Sequence, residues 1–283
     1  MDILTIDYSL KNAGADLVES LHNTGFAIIK NHPIDYSTVQ QLFSEWQSFF
    51  KTENKNLYPY NKKTGDGYVA MATSEIAKGA VLPDLKEFYQ LYFPWGRYPK
   101  ELSNDTAYYF KQVYSFANQL LHWLDLYSPV SIKNNFSEPL TSMASIEKSM
   151  LRVLHYPALD GTQAKDAIRA AAHEDINLIT LLPASNQTGL QVKTKNNTWL
   201  DVGTNSGEII INVGDMLQEC SGYYYASTTH RVVNPIVNPM ISNTSRFSMP
   251  LFVHPRSDVF LSKKYTKAQF YLDERLKELG LLD

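Results

Sequence analysis

Polar and apolar positions follow two regimes along the chain, one at helical spacing and one broken into short runs. Leu10 to His22 mixes polar and apolar residues as a helix would. Thr24-Gly25 then punctuates before Phe26-Ala27-Ile28-Ile29, an apolar run the length of a buried strand, which Asn31-His32-Pro33 ends. After Ser37, read as an N-cap, Val39, Leu42, Phe43, Trp46, Phe49 and Phe50 recur at i, i+3, i+4, i+7, i+10 and i+11, one apolar stripe that reads as core. Between Lys51 and Lys100 the periodicity fades while Gly, Lys, Tyr and Pro accumulate, which predicts irregular surface structure with short strands or turns. Asn104 or Asp105 then caps a long helix carrying Phe110, Val113, Ala117, Leu120, Leu121 and Leu124 on one side.

From Met150 to His254 the pattern changes to short apolar runs parted by turn residues. These are Leu151 to Tyr156, Leu178 to Leu182, Gly189 to Val192, Ile209 to Val213, Thr228 to Val233 and Phe247 to Val253. Short strands at close spacing predict an antiparallel sandwich or jelly roll rather than a parallel sheet with crossover helices. Thr266 to Leu282 closes the chain as a helix, with Ala268, Leu272, Leu276 and Leu279 on one side. No repeat or linker divides the sequence. The fold class is therefore α+β, one unit over residues 1–283 with an N-terminal helix-and-strand region at 1–147, a core at 148–256 and a C-terminal helix at 257–283.

Composition narrows the function. A chain of 283 residues with 44% hydrophobic types holds a full-sized core, and a single cysteine, Cys220, excludes an internal disulfide and reads as a small buried hydrophobe. Formal net charge is −3, and the 26 basic residues are scattered, so no stripe advertises nucleic acid or anionic lipid and the expected partner is a small molecule. Without a basic-then-apolar start or an apolar run of spanning length, the sequence reads as a soluble, cytoplasmic protein. Oligomeric state is left open.

Seven histidines are present, and any one alone reads as structural. His173 departs from that because Asp175 lies two residues on, where an extended segment turns both side chains to the same side and Glu174 away. An imidazole and a carboxylate give a divalent metal two ligands, and a third histidine completes a facial triad with open positions. His230 sits between β-branched residues in Ser227 to Val233, on a predicted strand that a jelly roll returns beside the first. Arg246-Phe247-Ser248 sets a guanidinium and a hydroxyl on one side of another strand, a receptor for a carboxylate; the plain alternative is an ion pair between Arg246 and an acid of the same chain. His155 and His254 are weak further candidates for the metal.

The strings HEDINLITLL (His173 to Leu182), GLQV (Gly189 to Val192), NVGDML (Asn212 to Leu217), STTHRVVNP (Ser227 to Pro235) and RFSMPLFVHPR (Arg246 to Arg256), with Trp199 between them, resemble the iron(II) and 2-oxoglutarate-dependent oxygenases. Within these the likeness is to the isopenicillin N synthase-like group, the iron/ascorbate oxidoreductases. Gly25-Phe26 to Asn31-His32, Gly67-Tyr68, Ala77-Lys78-Gly79 and Asp84-Leu85-Lys86-Glu87-Phe88 extend the resemblance over nearly the whole chain.

The resemblance implies a double-stranded β-helix core. It makes His173, Asp175 and His230 the Fe(II) ligands and the catalytic centre, and Arg246, Ser248 and Tyr156 the receptor for the distal carboxylate of 2-oxoglutarate, with ascorbate as an accessory reductant. The implied reaction is hydroxylation, desaturation or ring closure of a small molecule, with release of succinate and CO2. Two departures stand out: Leu154 replaces an asparagine frequent in plant relatives, and the interval from His230 to Arg246 is long, which predicts an inserted loop over Asn234 to Ser245. Two other readings keep the core: an oxidase that uses O2 and Fe(II) without 2-oxoglutarate, and a non-catalytic metal-binding jelly roll. The second calls for a closed site with a fourth protein ligand, and the sequence offers three.

Overall fold

A computed structural model describes residues 3–74, 82–164, 166–235, 245–278 and 280. In chain order the elements are β1 (Thr5–Asp7), α1 (Ala13–Thr24), β2 (Phe26–Lys30), α2 (Tyr36–Phe50), β3 (Gly67–Val69), β4 (Glu87–Tyr92), α3 (Asp105–Tyr127), the short helices α4 (Val130–Lys133) and α5 (Leu140–Met143), β5 (Met150–Tyr156), β6 (Ala170–His173), β7 (Ile179–Pro183), β8 (Leu190–Lys193), β9 (Trp199–Asp201), β10 (Ile209–Val213), α6 (Asp215–Cys220), β11 (His230–Val232), β12 (Arg246–Ser248), β13 (Leu251–Val253) and α7 (Ala268–Glu278). A nine-stranded sheet runs β1-β2-β10-β7-β13-β5-β4-β3, with β12 also on β5, and a four-stranded sheet runs β6-β11-β8-β9. The two form the double-stranded β-helix. Of the named strand pairs only β1 with β2 is parallel.

Period-two alternation sorts the large sheet onto two faces. On one face Ala27, Ile29, Leu151, Val153, Leu181 and Ile211 join the apolar stripes of α1, α2 and α3 in one cluster. On the other, Phe26, Ile28, Leu154, Tyr156 and Ile210 meet Ala170, Leu190, Val192 and Val232 from the small sheet. The residues expected from the sequence to carry the chemistry, His173, Asp175, His230, Tyr156, Arg246 and Ser248, line one cleft on this second face.

Several boundaries move for physical reasons. Asp35, not Ser37, caps α2: its carboxylate accepts from the Ser37 backbone N–H at 3.0 Å, and an ionised acceptor suits the positive end of a helix. The run Phe247 to Val253 is two strands, β12 and β13, both paired with β5. The stretch from Lys51 to Lys100 is less irregular than its composition implies, because β4 pairs with β5 over six residues. Its polar Glu87 is buried, accepting from Lys55 Nζ at 3.0 Å and from the Tyr68 hydroxyl at 2.5 Å, and bonding His155 Nδ1 at 2.7 Å. That contact also directs His155 to the helical face, away from the site. α7 is shorter than expected among the described residues. The Ala77-Lys78-Gly79 motif and most of the predicted loop, residues 236–244, lie outside the described residues. No described helix is long and apolar enough to cross a membrane.

Candidate metal and cosubstrate site

Antiparallel pairing of β6 with β11 sets His173 directly across from His230, and a register irregularity next to that pair lets Ala170 and Val232 also face inward. The two imidazole rings are 4.4 Å apart between centroids. Each ring is oriented through its inner nitrogen: His173 Nδ1 bonds the Ala171 carbonyl at 2.8 Å, and His230 Nδ1 bonds the Thr228 carbonyl at 3.1 Å. Donation to a carbonyl puts the proton on Nδ1 and leaves Nε2 with a free lone pair. Asp175, just past the end of β6, brings Oδ1 to 3.9 Å from His173 Nε2 and 3.7 Å from His230 Nε2. The three donor atoms lie within 4.8 Å of one another. Glu174 points away, accepting from Thr229 Oγ1.

Two residues that the motifs did not single out hold the carboxylate. Asp175 Oδ2 accepts from Thr180 Oγ1 at 2.5 Å and from Asn212 Nδ2 at 2.8 Å, leaving Oδ1 aimed at the histidines. Thr180 and Asn212 are register partners on β7 and β10, so strand pairing itself builds the clamp. Asn177 steadies Thr180, donating to its Oγ1 at 2.9 Å and to the Ile179 carbonyl at 3.0 Å. Burial acts to raise the Asp175 pKa, but His230, His173 and these hydrogen bonds outweigh it and hold the carboxyl below its ordinary value. His173 is pushed down to about 4, first by the protein packed around it and then by His230. An ionised carboxylate and a neutral His173 are what a divalent cation requires of its ligands.

Two expected outcomes follow from this packing. Asn212→Ala lowers affinity for a divalent metal about 10- to 100-fold, since outer partners fix the ligand's orientation; calorimetric titration with Mn(II) checks it, and unchanged affinity contradicts the clamp. Gly214 caps α6, and a Cβ there would press into the Asn177 carbonyl group and side chain. Gly214→Ala is therefore destabilising by about 1–3 kcal/mol in urea unfolding.

A cleft between the sheets opens to solvent, and the triad sits in its wall with Tyr156, Arg246 and Ser248. Arg246 and Tyr156 are register partners across β12 and β5, with the guanidinium 5.2 Å from the ring centre. Arg246 is 2% exposed; its Nε donates to the Gln187 carbonyl at 3.3 Å, and its NH1 has no hydrogen-bond partner. Among the described residues no carboxylate pairs with it, so the same-chain ion pair weighed from the sequence is not formed there. Leu154 adds an apolar wall beside them. Of the other lining residues, Arg152 lies over Phe88 at 4.5 Å and Phe252 at 5.6 Å, and Lys86 is buried against Asp84 at 2.8 Å. His254 is pushed down to about 4 by burial. Cys220 is buried, and burial pushes its thiol up, as suits an inert core residue.

Residues 147–255 match the sequence profile of the 2OG-Fe(II) oxygenase superfamily, and residues 4–113 match the N-terminal profile of the non-haem dioxygenase in morphine synthesis. Proline hydroxylase buaE of Petromyces alliaceus is 30% identical over 267 residues, which cover 86% of this chain and 81% of that protein. The chain belongs to the 2OG-Fe(II) oxygenase superfamily. Jasmonate-induced oxygenase 1 of Arabidopsis thaliana is 29% identical over 255 residues; the match takes in 85% of this chain and 60% of the longer plant protein. A crystal structure of a candidate oxygenase from Shewanella oneidensis superposes with a TM-score of 0.87 at 47% identity and covers both chains completely. As a 2OG-Fe(II) oxygenase the protein takes Fe(II) as cofactor and 2-oxoglutarate as cosubstrate. Its site fits both. Two imidazole nitrogens and one carboxylate are the donor set for non-haem Fe(II), and a buried guanidinium with an unmatched N–H is a receptor for an anion.

Proposed function

We propose that the chain is a dioxygenase that oxidises a small-molecule substrate by hydroxylation, desaturation or ring closure while converting 2-oxoglutarate to succinate and CO2. In this reading His173, Asp175 and His230 hold Fe(II), and Arg246, Ser248 and Tyr156 receive the distal carboxylate of the cosubstrate. The observation that carries it is the convergence, in one cleft, of three metal donors and a buried arginine whose NH1 is unmatched.

The bound metal supplies the O2-dependent redox chemistry of the superfamily. The chain's own contribution is positional. Ala171 and Thr228 carbonyls fix the histidine rings, and Thr180 with Asn212 fixes the carboxylate. Arg246 offers a planar fork to a carboxylate, and Ser248, buried two residues on along β12, offers a hydroxyl. Phe26, Leu154, Leu182, Leu190 and Val232 line the cleft with apolar surface that excludes water from the reacting groups. Arg152, Pro250 and Phe252 complete the lining and are the side chains offered to a substrate. One hydrophobic cluster joins α1, α2 and α3 to the large sheet, which supports reading residues 1–283 as one cooperative unit.

The test is turnover without a prime substrate. With Fe(II), O2 and ascorbate to keep the metal reduced, the protein is expected to release succinate and CO2 from 2-oxoglutarate slowly, and chelation is expected to stop it. O2 uptake with a tripeptide, and none with 2-oxoglutarate, would instead favour the cosubstrate-independent oxidase.

A further inference from the structure

Arg169 stands immediately before β6, is fully buried, and has no role in the site described so far. Its NH1 donates to Gln187 Oε1 at 3.2 Å, while Nε and NH2 have no hydrogen-bond partner. Gln187 is also where Arg246 is anchored, through its backbone carbonyl. A single residue thus ties two buried guanidiniums together, and three of their nitrogens are unmatched: Nε and NH2 of Arg169 and NH1 of Arg246. Among the described residues neither arginine has a carboxylate partner. The backbone at Arg169 is fixed as well, because Asn234 accepts from the Arg169 N–H at 3.0 Å and donates to the Ala167 carbonyl at 2.7 Å.

Two like charges in the interior without a counter-ion are costly, and natural interiors offset such charges with a paired anion. The electrostatics agree: burial first, and then Arg246, pushes Arg169 down to about 10, which leaves it protonated at neutral pH, and Tyr156 acts on both arginines. We propose that Arg169 and Arg246 form a paired-guanidinium receptor for the distal carboxylate of the cosubstrate, in which Arg169 is a specificity residue that favours a 2-oxo dicarboxylate over a 2-oxo monocarboxylate. This rests on the assignment of Arg246 to the cosubstrate given above.

Arg169→Gln removes an uncompensated charge, so the anion-free protein gains melting temperature, while the further gain on adding 2-oxoglutarate with Mn(II) shrinks. In turnover, KM for 2-oxoglutarate rises about tenfold with kcat little changed, as expected for loss of a charge-assisted contact made equally throughout the reaction. The preference for 2-oxoglutarate over 2-oxopentanoate, which lacks the distal carboxylate, falls by a similar factor. Arg169→Lys keeps the charge without the fork and recovers part of that preference. If Arg169→Gln does not fold, Arg169→Lys carries the KM and preference readouts with smaller changes, and its anion-free melting temperature stays near the wild type because the charge is kept.

Wild-type discrimination in both variants would overturn the pairing alone. Absence of any 2-oxoglutarate-induced stabilisation in the wild type would overturn the cosubstrate reading and the pairing with it. Stabilisation by chloride or phosphate that depends on Arg169 and equals that by 2-oxoglutarate would overturn the dicarboxylate assignment in favour of a general anion site.

Discussion

Asp175→Ala is expected to reduce Fe(II)-dependent consumption of 2-oxoglutarate to background, a loss larger than the roughly 100-fold at which substitutions of outer partners level off. The carboxylate is the only anionic group of the triad and brings Oδ1 within 3.9 Å of both imidazole nitrogens. Removing it leaves two neutral ligands for a dication and strands the donors of Thr180 and Asn212 that now bond it. The fold is expected to survive, because Asp175 lies at a strand end with its bonds directed into the cleft rather than into the apolar layers. His173→Ala is expected to have the same effect. Succinate release measured beside far-ultraviolet circular dichroism separates loss of metal from loss of structure. Substantial turnover in folded Asp175→Ala would remove that residue from the metal site.

Arg246→Lys is the second large effect, and it falls on the cosubstrate. The guanidinium is buried against Tyr156 and Gln187 with one N–H unmatched, so its fork is already desolvated and oriented before an anion arrives. Lysine keeps the charge but supplies a point donor on a flexible stem, losing the planar two-point contact. A lost charge-assisted hydrogen bond of about 1.5–3 kcal/mol corresponds to a rise of about 10- to 150-fold in the KM for 2-oxoglutarate. Metal affinity is expected to stay as in the wild type, since Arg246 is not among the clustered metal donors. An unchanged cosubstrate requirement would refute the assignment.

The clustering of His173, Asp175 and His230 was legible because each sits in a short string whose residue types fix its local conformation: His173 and Asp175 at and just past a strand end, His230 between β-branched neighbours. The placement of Arg246 and Ser248 in the same cleft was legible for a similar reason, as alternate residues of one strand. What holds these groups was not, because it arises from pairing between distant segments. Thr180 and Asn212 meet only through the register of β7 with β10. A signal was present, since each is a polar residue inside an otherwise apolar run, at a position whose neighbours predict burial. The strand β4 was hidden by the same logic in reverse. Its Glu87 and Gln90 look like surface residues until Lys55, Tyr68 and His155 are seen around the first and Arg152 against the second. Arg169 gave no sign in the sequence; its meaning depends on Gln187 linking it to Arg246.

The proposed reaction depends on one Fe(II) shared by His173, Asp175 and His230 with positions left for 2-oxoglutarate. Anaerobic titration of the metal-free protein with Fe(II), followed by 2-oxoglutarate, tests it through the visible charge-transfer absorption of a 2-oxo acid chelated to ferrous iron. One equivalent of iron per chain is expected, with absorption that appears only after the acid is added and is lost in His173→Ala and Asp175→Ala. Tight iron binding that persists in both variants, or a wild-type complex that 2-oxoglutarate leaves spectrally unchanged, would contradict it.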